Sequence, residues 1–155
     1  MKIIKIKEKE YKFEFTFEAA MHESCVEKIV SIIDEMTIAQ TQNDVKGYIA
    51  SLAKTPKTVV SMVYAGLLEH HSNEIKNEKD ASELIKTYFA EHKEDGTGNF
   101  VNLMYLMIET MEEDGFFNMI GLEEIFGANQ TEEKTKKVAK TPQDHKTKTT
   151  KASVK

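Results

Sequence analysis

Arginine and tryptophan are absent from this chain, cysteine occurs once, proline twice and glycine seven times. Without arginine there is no planar fork to clamp phosphate or carboxylate, because every one of the 21 basic residues is a lysine. A single cysteine, Cys25, excludes an intrachain disulfide and fits a reducing compartment. The glycines are scattered, with only Gly96 and Gly98 close together, so no phosphate-cradling loop is present. The longest largely apolar run, Val59 to Leu68, falls far short of the roughly 20 residues that span a bilayer. The lysine-rich start alternates and lacks the apolar stretch of a signal peptide. These absences predict a soluble, cytoplasmic protein.

Catalytic patterns are missing as well. No Gly-x-Ser-x-Gly elbow occurs, and Cys25 falls in an apolar helical stripe, where a structural thiol is expected rather than a nucleophile. His22 and Cys25 in "HESC" are spaced for two metal ligands, but no second pair completes a closed site of four. "DGTGN" alternates oxygen-bearing side chains at Asp95, Thr97 and Asn99, but Phe100 and Leu106 occupy the positions where a calcium loop needs glycine and glutamate. Acidic clusters at 109–115 and 123–124 read as solvated faces. A non-enzymatic protein without cofactor or metal is expected.

What is present is charge, unevenly distributed. Residues 1–127 carry 13 lysines against 23 acids, and residues 128–155 carry 8 lysines against 3 acids. An acidic body disfavours nucleic acid. The basic tail, poor in large apolar residues, predicts disorder from residue 128 onward, as a solvated linker or a contact to an acidic surface.

Hydrophobic periodicity supplies the elements. "KIIKIKEKEYKFEFTF" alternates, with Ile4 and Ile6 facing Tyr11, Phe13, Phe15 and Phe17, and predicts a β-hairpin at residues 2–16 with a polar turn at Lys7–Glu10. The period then changes. Met21, Cys25, Val26, Ile29, Ile32, Ile33 and Met36 predict an amphipathic helix from Ala19 to Met36. A weaker helix follows at Asp44–Ala53, with Val45, Tyr48, Ile49 and Leu52 on one face. Thr55 as N-cap and Pro56 at the first helical position predict a new helix ending near His71–Asn73. Further helices are expected at Asp80–His92 and Phe100–Met111, followed by a short apolar piece to Gly127. The expected fold is α+β: an N-terminal hairpin packed on four to five helices in an acidic domain 1–127, then a free tail 128–155.

Two helices hold more apolar surface than one stripe requires. "FVNLMYLMIETM" and "VVSMVYAGLL" are apolar around nearly their whole circumference. Both could be central helices wrapped by the others; alternatively, part of this surface stays open for a partner. Methionine suits the second reading, since thioethers adapt to varied apolar guests. On it, Met104, Met107, Met111, Phe116 and Phe117 form a groove that takes an amphipathic helix.

The order of elements resembles the tail assembly chaperones of long-tailed, siphovirus-type bacteriophages that infect Gram-positive bacteria. The resemblance runs through "KIIKIKEKEYKFEFTFEAA", "VVSMVYAGLLEHH", "DASELIKTYFAEH" and "FVNLMYLMIETMEE", and ends in the lysine-rich tail. It implies a protein that binds the helical tape measure protein, and by extension the tail tube protein, during tail morphogenesis in the host cytoplasm, and is absent from the mature virion. It also implies a longer form made by programmed frameshifting, to which the tail would be the linker, and it leaves room for self-association. Two rival readings stand beside it: a small structural head–tail connector or completion protein, and a cytoplasmic adaptor using its basic tail on nucleic acid.

Overall fold

The structure, a computed structural model, describes residues 1–122. The tail expected at 128–155 and the domain end expected at 127 lie outside the described residues. The described chain is α+β: β1 (Lys2–Ile6), β2 (Lys9–Phe13), then α1 (Phe17–Ala20), α2 (Glu23–Thr41), α3 (Val45–His71), α4 (Glu78–Glu91), α5 (Phe100–Glu113) and α6 (Phe116–Met119).

The hairpin is antiparallel, with Lys2 opposite Phe13, Ile4 opposite Tyr11 and Ile6 opposite Lys9. This register puts Ile4, Ile6 and Phe13 on one face, where they are buried, while Ile3, Lys5 and Lys12 point outward. The turn is tighter than expected. It needs only Lys7 and Glu8, with Lys7 in the left-handed region at φ 57°. Phe15 stays buried, but Phe17 does not continue the alternation, because α1 begins there and the period-two register is lost.

The helices differ from expectation at their ends. α2 starts at Glu23, where His22 Nδ1 accepts the Cys25 N–H at 3.2 Å, and it runs on to Thr41. α4 starts at Glu78, capped by Asn77, whose side chain accepts from Lys79 and Asp80 N–H. The largest difference is α3. The two helices expected on either side of Thr55 are one helix of 27 residues with Pro56 inside it. Proline's fixed φ is helical, so it costs a backbone hydrogen bond and a steric clash but does not force a break. The helix is continuous through that point, with Ser51, Thr55 and Thr58 buried on either side of it.

α3 is the axis of the fold, and α2, α4, α5, β2 and α1 all pack on it. The hairpin approaches it closely at Gly66, whose carbonyl accepts the Glu14 N–H at 2.9 Å. A Cβ at Gly66 would lie 3.0 Å from the Phe15 ring and 3.3 Å from Phe13. Glycine inside a helix costs about 1 kcal/mol relative to alanine; here it opens the slot that two aromatic rings fill. Glu91 of α4 accepts the Lys7 N–H at 2.7 Å and Asp114 accepts the Phe15 N–H at 2.9 Å, which fastens both ends of the hairpin to the helical layer.

Candidate interaction surfaces

The five residues expected to line a partner groove do not line one. Met104, Met107, Met111, Phe116 and Phe117 are all buried, Met107 and Met111 completely. α5 turns its methionine stripe inward, and Phe116 meets Phe15 edge-on at 5.5 Å between ring centroids. The physical reason is the amount of cover. α5 packs on α3 and α6, and β2 packs on α3 as well, so the excess hydrophobicity of α5 and of the second half of α3 is consumed in the core. The space among Ile6, Phe13, Val63, Leu84 and Leu103 closes to about 10 Å³, roughly a single water-sized void.

The chemistry-bearing side chains also have structural tasks. Cys25 is buried, and burial pushes its thiol up to about 12, far from a reactive thiolate. Its sequence neighbour His22 serves as the helix cap described above. Lys28, Ser61 and Glu78 form a hydrogen-bonded trio, with Lys28 Nζ 3.2 Å from Glu78 Oε1. Burial opposes ionisation of Glu78, but the hydrogen bonds from Ser61 and Lys28 outweigh it and hold the carboxyl below its usual value. Ser61 is fully buried, so the trio offers no accessible nucleophile. Asp95 is held down to about 2 by hydrogen bonds from Thr97 first and His92 second, which makes its loop a self-bonded turn. Among the described residues no three His, Cys, Asp or Glu side chains group as a metal site. Among the described residues, too, no helix is long and apolar enough to cross a membrane.

Besides Met1, Ile3, Val101 and Tyr105, the exposed large apolar side chains of the described residues fall in two regions. The first is where α1 packs on α6: Phe17 (65% exposed), Met21 (67%) and Met119 stay open to solvent there. The second is the tip of the α2–α3 pair, where Val45 is 69% and Ile49 60% exposed and Ile38 and Tyr48 less so, with Val30 open farther along α2. The sequence did show Val45, Tyr48, Ile49 and Leu52 sharing a face, but not that this face lacks a neighbour. On the opposite flank of α2–α3 lies an open, charged cleft of about 290 Å³ bordered by Lys28, Lys54, Lys57 and Glu27. Lys54 is engaged there by Glu35 at 2.5 Å.

No family model, curated protein or solved structure matches the chain.

Proposed function

We propose that this chain is a non-enzymatic tail assembly chaperone of a long-tailed bacteriophage, which binds the helical tape measure protein and keeps it soluble while the tail is built. On this reading it acts in the host cytoplasm, is absent from the mature virion, and has a longer frameshifted counterpart. The observation that carries the reading is the open patch of Phe17, Met21 and Met119 on the adjoining elements α1 and α6. Large, adaptable apolar side chains are left in water there on an acidic domain whose Met-rich interior is otherwise closed. Methionine and phenylalanine side chains of this kind suit the apolar stripe of a partner helix, and the acidic surface supplies solubility to the complex. The residues first expected to make the contact, Met104, Met107, Met111, Phe116 and Phe117, are buried in the core instead.

The test is co-expression with the tape measure protein of the phage. The wild-type chain should bring that protein into the soluble fraction and co-purify with it, and it should be missing from purified virions. The double variant Phe17→Ser/Met119→Ser should lose at least tenfold in co-purified partner while its circular dichroism is unchanged. Recovery of the chain in virions, or co-purification of portal or tube proteins without the tape measure protein, would overturn the reading.

A further inference from the structure

We propose that the apolar end of the α2–α3 pair is an interface with a second copy of this chain, so that two helical hairpins close on each other as a four-helix layer. The orientation of the face follows from hydrogen bonds on its opposite side. Lys54 with Glu35, and Lys28 with Ser61, mark one flank of the antiparallel pair. The buried seam between the helices runs through Cys25, Ile29, Ile32 and Ala39 on α2 and Ser51, Thr55 and Thr58 on α3. At 3.6 residues per turn, Val30 and Ile33 on α2 and Val45, Tyr48, Ile49 and Leu52 on α3 fall on the flank away from those polar pairs. This is one apolar strip contributed by both helices. α2 packs substantially on α3 and α1 alone, so nothing else in the described chain covers it.

Charge points to a second copy as the occupant. The described body holds 21 acids against 13 lysines, a net −8, and that charge opposes the approach of an identical chain. Residues 36–53 are the exception. They contain one acid, Asp44, and one lysine, Lys46, in a chain that is 30% charged. Asp44 is also occupied as the cap of α3, accepting the Lys46 N–H at 3.1 Å. The α3 part of the strip therefore lies where self-repulsion is weakest, at the tip of the α2–α3 pair. An antiparallel helix pair with one open strip is self-complementary: a two-fold axis lays each strip across its equal, and a four-helix layer results with no element left uncovered. Ser51 and Ala39 keep the tip end of the seam small, while Ile29 and Ile32 fill it farther along, and the large side chains Val45 and Ile49 find no cover within the pair. A second hairpin supplies the missing cover.

The experiment uses the purified full chain alone, which separates it from the tape measure test. Sedimentation equilibrium at about 100 µM should give twice the 17.7 kDa chain mass. The variant Val45→Glu/Ile49→Glu, placed at two exposed positions, should weaken dimerisation at least tenfold with helical content retained. A cysteine probe covers the case in which that variant loses structure. Cys25 is buried and its thiol stays protonated, so Ile49→Cys adds the one reactive thiol of the described body. Mild oxidation should link Ile49→Cys chains in pairs and leave Tyr105→Cys chains, altered on the exposed side of α5, unlinked. A monomeric wild-type chain, an undiminished dimer in the double variant, or equal linking of the two cysteine variants would overturn the proposal.

Discussion

The two halves of α3 have similar apolar content and opposite fates. From Val59 to Leu67 nearly every side chain is buried, serine and glycine included. From Val45 to Ala50 nearly every side chain is exposed, although Val45, Tyr48 and Ile49 are as hydrophobic as their counterparts about four turns on. The difference is in what comes to meet them. The hairpin seats on the second half at Gly66, whereas in the first half the nearest side chains to Gly47 are those of the α2 residue Ala39 and its own cap Asp44. Between them sit Thr55 and Pro56, a buried hydroxyl and a missing backbone donor at the point where packing changes. One continuous helix thus joins a closed core to an open strip, and the hydropathy of its residues does not say which end is which.

Truncations should separate the halves most strongly. Met111→Ala, in a completely buried position on α5, should cost about 2–5 kcal/mol in urea unfolding through lost burial and the cavity left behind. Ile49→Ala, 60% exposed, should change the stability of the monomeric domain by less than about 0.5 kcal/mol. Equal costs would mean that the open strip is part of the core and the comparison fails.

A smaller effect of opposite sign is expected at the junction. Thr55 Oγ1 is buried with no hydrogen-bond partner, so the near-isosteric Thr55→Val should raise stability by about 1 kcal/mol. A loss would indicate that the hydroxyl is satisfied there and that the junction carries no polar penalty.

The smallest effect belongs to the closed half and depends on pH. At the C-terminal end of α3 the His71 Nε2 accepts the Lys12 N–H at 3.0 Å, which requires the neutral ring. Burial lowers the pKa of this imidazole from 6.5, opposed by Glu74 and reinforced by Lys9. The folded state thus prefers the unprotonated form. Its contribution is complete above the unfolded value and is lost as pH falls from there through the lowered folded value. Between about pH 7.5 and about pH 5.5 the wild-type urea midpoint should fall more than that of His71→Gln. Parallel profiles would remove His71 from the strand-to-helix contact.

The alternating stretch before Phe17 specified a hairpin with the correct inner face, because a period of two with charged residues between has one burial solution. The helical periods located α4 and α5 to within a few residues and α2 to within about a turn at each end, and the asparagines at 77 and 99 end up as caps of α4 and α5. The sequence misled at Pro56, where a proline behind a threonine satisfies the local rule for a helix start. It misled again at Met104, Met107 and Met111, where excess hydrophobicity was read as an open groove. Both errors have one origin: each depended on how much cover distant segments bring. A hairpin seated at Gly66 brings that cover to the second half of α3, while Val45, Tyr48 and Ile49 at the other end of the 27-residue helix stay exposed.

By itself the sequence determined the hairpin and its inner face, the helical segments apart from the continuity of α3 through Pro56, and the acidic character of the body. These follow from side-chain spacing and charge along a local stretch. The tertiary structure alone decided which apolar residues are core and which are surface. Burial is a property of pairs of segments, and equal hydrophobicity at Met107 and Ile49 gives full burial in one case and 60% exposure in the other because a neighbour is present only at the first.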